Sequence, residues 1–133
     1  GIFVLPLAGS VGHLVPLDGL QPLFGLAIHD DLIYWTTFTG GGVMRAPLAG
    51  GPTTPLALGQ GQVQCMLVDS PWVYFTTNDD YDIGRVMRVK TNGEALTTIA
   101  IDQFNPCGLA VDATHVYWDE VIASGARILK APK

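Results

Sequence analysis

The densest group of side chains that could do chemistry lies at residues 78–82, which read NDDYD. Asp79, Asp80 and Asp82 bring three carboxylates close together, and such oxygens can converge on a hard cation such as Ca²⁺, which takes about six to eight oxygen ligands. The stretch lacks the glycine and the distal glutamate of an EF-hand loop. We therefore predict a solvated polar loop, with a cation site as the alternative, and we predict no cofactor.

Histidines could supply acid–base catalysis or bind zinc, and the chain has three, His13, His29 and His115. They lie far apart in the sequence, and no two have the spacing of metal ligands. The glycine runs at 40–42 and 50–51 are not followed by the Lys-Ser or Lys-Thr of a P-loop. No serine, histidine and aspartate have the context of a catalytic triad. We predict that the chain is not an enzyme.

Three near-copies of one motif indicate how these residues are positioned. The motif reads YWTT, YFTT and YWDE, beginning at residues 34, 74 and 117. Aligning the copies also superposes Gly25, Cys65 and Gly108. The period of about 40 residues is in the range of β-propeller blades, so we predict a repeat protein built of stacked blades.

Each copy reads as short strands, because runs rich in Val, Ile, Tyr, Trp and Thr alternate with clusters of Gly, Asp, Asn and Pro. The predicted fold class is all-β, a β-propeller whose four-stranded antiparallel blades have strands A to D. The chain is predicted to form one partial domain over 1–133, with about three blades. The predicted strands are C 2–7 and D 12–17; A 24–29, B 32–37, C 42–48 and D 53–58; A 64–69, B 72–77, C 85–90 and D 95–101; and A 107–112, B 115–119 and C 126–131.

These strands divide the domain into an incomplete blade at 1–20, blades at 24–63 and 64–105, and a blade at 106–133 that lacks its D strand. The motif aromatics Trp35, Phe75 and Trp118 are predicted to pack between blades rather than to stack on a ligand.

The two cysteines occupy neighbouring slots of the repeat. Cys65 aligns with Gly25 and Gly108, whereas Cys107 aligns with Gln64, one position earlier. Side chains one residue apart on a strand point to opposite faces. We therefore expect two free buried thiols, with a disulfide as the alternative.

The segments GLAIHDDLIYWTT, CMLVDSPWVYFTT and GLAVDATHVYWDE resemble the YWTD repeats of six-bladed β-propellers, known from receptor ectodomains and secreted bacterial proteins. The motif's aspartate is replaced by Thr37, Thr77 or Glu120, and Asp119 stands where the motif has threonine. The resemblance implies binding of proteins or carbohydrates and an extracellular or periplasmic location. Related propellers also include hydrolases and lyases, so the fold alone does not decide the function.

About three blades are too few to close a ring. We expect a half-ring or a piece of a larger propeller, and a processed product or a fragment would both fit the absence of an initiator Met. A homodimer would bring the blades to six, with residues 12–17 of one chain completing the last blade of the other. The isolated chain is then expected not to fold as a monomer.

Loops of a propeller alternate between two faces, and the B–C and D–A connections share one of them. Half of the twelve acidic residues are expected on that face, and the basic residues, including Arg85 and Arg127, are expected away from it. We predict that this acidic face binds the ligand through Asp79, Asp80, Asp82, Gln103, Asn105, Asp119 and Glu120.

Composition limits the class of partner. The 133 residues are 48% hydrophobic and 14% charged, which is ample apolar material for a packed core. The formal net charge of -5 argues against nucleic acid as a partner, and no apolar run reaches the ~20 residues that span a bilayer. We predict a non-catalytic module that binds a protein or carbohydrate. The alternatives are a structural fragment of a larger propeller and a propeller-type hydrolase or lyase.

Overall fold

The computed structural model describes residues 2–4, 13–15 and 23–133, which form thirteen β-strands and no helix. No helix long and apolar enough to cross a membrane therefore occurs among these residues. The strands are β1 (Ile2–Val4), β2 (His13–Val15), β3 (Leu23–His29), β4 (Leu32–Thr37), β5 (Gly42–Pro47), β6 (Thr54–Ala57), β7 (Gln62–Asp69), β8 (Trp72–Asn78), β9 (Ile83–Lys90), β10 (Thr97–Phe104), β11 (Cys107–Val111), β12 (His115–Ile122) and β13 (Gly125–Pro132).

The strands pair antiparallel in four sheets, each following chain order. A hairpin of β1 and β2 comes first. We call the sheet β3 to β6 blade 1, the sheet β7 to β10 blade 2 and the three-stranded sheet β11 to β13 blade 3. The predicted all-β propeller architecture is confirmed.

Most strands lie within one or two residues of their predicted positions, and the two largest differences concern site residues. Strand β10 was predicted at 95–101 but extends to Phe104, so that Gln103 lies in a strand. Strand β12 was predicted to end at residue 119 but continues to Ile122, because it pairs with β13 as far as Gly125. Glu120 is therefore a strand residue and not a loop residue.

The hydrophobic cores lie between neighbouring sheets. Tyr34 of blade 1 and Phe75 of blade 2 share one core, and Tyr74 of blade 2 and Trp118 of blade 3 share another. Trp35 lies in a third core, which includes the β1–β2 hairpin. In the first two motifs the tyrosine faces the following sheet, and in all three the next aromatic faces the preceding sheet, because side chains alternate along a strand. The predicted packing of the motif aromatics between blades is confirmed.

The threonines of the motif connect strands and blades through their hydroxyl groups. The Thr36 hydroxyl accepts a hydrogen bond from the Gly25 amide at 2.7 Å and donates one to the Gln64 carbonyl of blade 2 at 3.2 Å. The Thr37 hydroxyl accepts from the Gly42 amide at 3.0 Å. In blade 2 the Thr76 hydroxyl accepts a hydrogen bond from the Cys65 amide, and the Thr77 hydroxyl accepts one from the Arg85 amide. A hydroxyl suits these buried slots because it both donates and accepts.

The expectation of two free thiols is wrong, because Cys65 and Cys107 form a disulfide between the first strands of blades 2 and 3. Their Cα atoms are 5.3 Å apart, in the normal range for a disulfide. The register shifts between Val63 and Met66 in β7 and between Cys107 and Ala110 in β11. A bulge interrupts the alternation of side chains along a strand. The prediction assumed regular strands and therefore placed the two sulfur atoms on opposite faces.

The predicted exchange of residues 12–17 between two chains falls largely outside the described residues. The described part, His13–Val15, pairs with Ile2–Val4 of the same chain, and Val15 is buried against blade 1. The exchange stays a prediction.

Candidate ligand-binding site

The connection between β8 and β9 projects a tyrosine from the loop end of blade 2. Asp80 and Ile83 form an isolated β-bridge, which closes a tight turn around Tyr81 and Asp82. Both turn residues have positive φ, 44° and 66°. The Tyr81 side chain is thereby held 91% exposed. The turn borders a hollow of about 250 Å³ lined by Gln62, Asn78, Asp79, Asp80, Tyr81 and Asp82.

Asp79 forms an ion pair with Arg85, a residue that was expected to lie away from the acidic face. The Arg85 guanidinium donates to both carboxylate oxygens of Asp79, at 2.7 and 3.0 Å, and also to the Gln60 carbonyl. Partial burial raises the pKa of Asp79, but the hydrogen bonds from Arg85 and Thr77 outweigh it and lower that pKa below its usual value. The expectation that Arg85 lies away from the acids is wrong, because its long side chain reaches back from β9.

Asp80 and Asp82 are the exposed acids of this turn, and neither makes an ion pair within the described parts of the chain. The Asp82 carbonyl accepts a hydrogen bond from the Asn105 amide at 2.5 Å. This bond connects the β8–β9 turn to the end of β10. The structure therefore brings together four of the predicted site residues, Asp79, Asp80, Asp82 and Asn105.

Apolar side chains lie beside these acids. Ile83 and Phe104 are cross-strand neighbours on β9 and β10, and they are 38% and 37% exposed. With Asp80, Tyr81 and Asp82 they form a surface that we call the Tyr81 surface. It combines carboxylates, an aromatic ring and aliphatic area within one end of blade 2.

Gln103 and Glu120 connect blade 2 to blade 3, Gln103 from a half-buried position and Glu120 from a buried one. The Gln103 side chain accepts a hydrogen bond from the Trp118 indole at 2.9 Å. Glu120 is 1% exposed; its carboxylate accepts from the Phe104 amide at 2.7 Å and from Arg127 at 2.6 to 2.7 Å. The expectation of a solvent-facing Glu120 distant from Arg127 is wrong, because the motif slot of Glu120 faces the preceding blade.

Glu120 provides a stability test of this structural role. Glu120→Ala should lower the free energy of unfolding by on the order of 2–3 kcal/mol, since it leaves the Phe104 amide and Arg127 without their acceptor. Glu120→Gln should cost less, because an amide oxygen still accepts. Asp80→Asn, on the exposed turn, should change stability by less than about 0.5 kcal/mol. Urea unfolding gives all three values, and equal costs for Glu120→Ala and Asp80→Asn would contradict the assignment.

Asp119 points to a different surface from the other predicted site residues. It belongs to the side of blade 3 that carries Tyr117, away from blade 2, and its carboxylate lies close to the backbone of Gly108. The predicted site residues thus fall into three places: the Tyr81 surface, the contact between blades 2 and 3, and the outer side of blade 3.

A second cluster of titratable side chains lies at the opposite loop end. Asp112 accepts hydrogen bonds from the Tyr117 hydroxyl at 2.6 Å and from the Thr114 and His115 amides. The Tyr117 bond is the main reason that the pKa of Asp112 lies far below its usual range, and it raises the pKa of Tyr117. Thr114 lies between Asp112 and the His115 ring, so these groups stabilise a turn and are not arranged as nucleophile, base and orienting acid.

Sequence reasoning missed Tyr81 and Arg85 as parts of the site. The sequence could have indicated Tyr81, because it lies directly between Asp80 and Asp82 and a ring flanked by two acids is expected to be exposed. No local signal identifies Arg85, because its direction depends on the fold of β9 against the turn.

Comparison with known proteins agrees with this architecture. The chain is similar to a propeller chain in the crystal structure of a nidogen/laminin complex, with a TM-score of 0.71 and 22% identity. The similarity covers 84% of this chain and 44% of that chain, so this chain spans less than half the length of its neighbour. No protein-family model matches, and no curated protein matches. The fold defines the chain as a segment of a β-propeller.

Proposed function

We propose that this chain is a non-catalytic propeller module that binds a protein through the Tyr81 surface. The observation that carries the proposal is the 91% exposure of Tyr81 between two acids that make no ion pair in the described structure. A large ring held in solvent by a tight turn gains by contact with a partner. Tyrosine is among the residues that dominate the binding energy of protein interfaces.

The chemistry of the surface selects a partner with basic and apolar side chains. Asp80 and Asp82 attract Lys or Arg, and the formal net charge of -5 favours approach of a cationic partner. Ile83 and Phe104 provide the apolar area that a specific contact needs. The nidogen/laminin complex, which contains the similar propeller chain, is a precedent for protein recognition by this fold.

The disulfide supports the proposed extracellular or periplasmic location. Disulfides persist in oxidising compartments and are rare where thiols are kept reduced. The similarity to a chain of the nidogen/laminin complex supports the same proposal.

A carbohydrate is the second candidate ligand. The exposed Tyr81 ring could stack on a sugar, while Asp80 and Asp82 accept hydrogen bonds from its hydroxyl groups. A glycan array with the intact chain separates the two candidates, because a carbohydrate site requires binding that Tyr81→Asn abolishes.

A random peptide library displayed on phage tests the protein-binding proposal without a known partner. Peptides selected on the immobilised intact chain should be enriched in Lys or Arg next to large apolar residues. Their affinity should fall by about tenfold or more for the variant Asp80→Asn/Tyr81→Asn/Asp82→Asn. It should also fall with added salt. Asparagine is chosen because it tolerates the positive φ of the turn.

Asp30→Asn is the matched control, since Asp30 is an exposed aspartate that also has positive φ, on the opposite loop end. Binding should be unchanged in this variant. If the selected peptides bind the triple variant as tightly as the unaltered chain, the Tyr81 surface is not the binding site.

A further inference from the structure

The end of β10 reaches the Tyr81 surface through an irregular stretch of backbone. The ladder between β9 and β10 shifts register between Ala100 and Gln103, and Asn105, just beyond the strand, has a positive φ of 44°. Pairing of the two strands resumes for the last two residues of β10, Gln103 and Phe104. Because a shift of register disrupts the ladder locally, the position of Phe104 and Asn105 depends on further contacts.

Blade 3 supplies such contacts to two successive residues of β10. Trp118 and Glu120 lie two positions apart on β12, so both side chains point to the same face, toward blade 2. The Trp118 indole donates to the Gln103 side chain at 2.9 Å. One carboxylate oxygen of Glu120 accepts the Phe104 amide at 2.7 Å, and the other accepts from Arg127. Hydrogen bonds to both oxygens hold the buried carboxylate in one position.

The next amide along the chain connects β10 to the β8–β9 turn. The Asn105 amide donates to the Asp82 carbonyl at 2.5 Å, and Asp82 directly follows Tyr81. Two successive amides, those of Phe104 and Asn105, are thus bonded to Glu120 of blade 3 and to the turn of blade 2. A change at Glu120 can therefore reach the turn through a single peptide unit.

We propose that Glu120 is a positioning residue for the Tyr81 surface. By accepting the Phe104 amide, Glu120 holds the end of β10 where the Asn105 amide reaches Asp82. The same bond fixes Phe104, whose side chain is part of the Tyr81 surface. This role of Glu120 rests on the proposed function, since it concerns how the binding surface is kept in one arrangement. An ordered surface loses less entropy on binding.

Binding of the tightest peptide from the phage selection to the intact chain tests this role. Glu120→Ala removes the acceptor of the Phe104 amide and should weaken binding by about tenfold, because only molecules with an ordered β10 end bind well. Glu120→Gln should bind within about threefold of the unaltered chain, since its amide oxygen still accepts from Phe104. Arg127 can then turn to solvent, because its side chain is 57% exposed.

Val116→Ala is the matched control for lost stability. Val116 is buried in the same core between blades 2 and 3 but lies near the other end of β12. Its truncation also lowers the free energy of unfolding, yet it should leave the peptide affinity unchanged. Circular dichroism establishes that each variant is folded. If Glu120→Ala does not fold, Glu120→Asp replaces it, because its carboxylate is one methylene short of the Phe104 amide, and about fivefold weaker binding is expected.

Hydrogen exchange of the Asn105 amide, measured without peptide, gives a second readout that does not depend on the ligand. The Asn105 amide should exchange about tenfold faster in Glu120→Ala than in the unaltered chain, because the end of β10 opens locally. In Glu120→Gln and Val116→Ala its exchange should stay within about threefold of the unaltered rate.

Equal peptide affinity of Glu120→Ala and Val116→Ala would overturn the positioning role, and so would unchanged exchange of the Asn105 amide. A Glu120→Gln variant that binds as weakly as Glu120→Ala would do the same. Failure of the proposed function has a different result, namely unaltered peptide binding by the variant Asp80→Asn/Tyr81→Asn/Asp82→Asn. If that variant loses binding while Glu120→Ala keeps it, the Tyr81 surface binds the peptide but does not depend on Glu120.

Discussion

Trp118→Ala is expected to lower the free energy of unfolding by about 3–5 kcal/mol, the usual cost of truncating a large buried aromatic side chain. Trp118 is 3% exposed and fills the core between blades 2 and 3. Its indole also donates to Gln103, which would lose that partner. A loss of this size is a large fraction of the stability of a typical domain, and urea unfolding followed by circular dichroism measures it.

Tyr81→Asn is the matched control, because Tyr81 is an aromatic residue of the same chain that is almost fully exposed. The free energy of unfolding of the Tyr81→Asn variant should differ from that of the unaltered chain by less than about 0.5 kcal/mol. A Trp118→Ala variant as stable as the control would contradict the conclusion that the motif aromatics stabilise the packing between blades.

Removing the disulfide is expected to have a similarly large effect. Cys65 and Cys107 are 42 residues apart in sequence. In the chain-entropy model, closing a loop of that length lowers the entropy of the unfolded chain and thereby stabilises the fold by about 4 kcal/mol. Cys65→Ser/Cys107→Ser should therefore lower the urea midpoint substantially. Addition of a reductant to the unaltered chain should produce the same shift.

The reductant should leave the double serine variant unchanged, which controls for effects on the rest of the chain. Thiol titration of the native, unaltered protein should detect no free thiol. Two reactive thiols, or a midpoint that is insensitive to both treatments, would contradict a stabilising disulfide between blades 2 and 3.

The positions of the strands were predictable because the motif repeats the same buried slots. Tyr34 and Tyr74 face the following sheet, and in all three copies the next aromatic faces the preceding one. The same regularity predicted the buried role of Trp35, Phe75 and Trp118. An uncertain strand position in one copy can be placed by aligning it with the other two, because all three copies share one pattern.

The disulfide could not be predicted from this regularity, because it depends on departures from it. The bulges at Cys65 and Cys107 are the places where pairing register changes. Nothing in the local composition marks them, and a shift of one residue moves a side chain to the other face of a strand.

The candidate site was predictable only in part. The turn that contains Asp79, Asp80 and Asp82 follows from the spacing of two strands, and the structure brings it together with Asn105. The role of Glu120 depends on the length of β12 and on Arg127 across the ladder. The long side chain of Arg85 reaches Asp79 in the preceding turn, whereas Arg127 lies directly opposite Glu120 in the ladder.

The position of the bound ligand tests the central claim, that the Tyr81 surface is where this propeller module binds its partner. We propose to titrate the ¹⁵N-labelled intact chain with the tightest peptide from the phage selection and to follow its amide resonances. The account predicts chemical-shift changes concentrated at residues 79–83 and 103–105. Changes confined to the opposite loop end, around residues 30–31 and 112–115, or to the side of blade 3 that carries Tyr117, would contradict it.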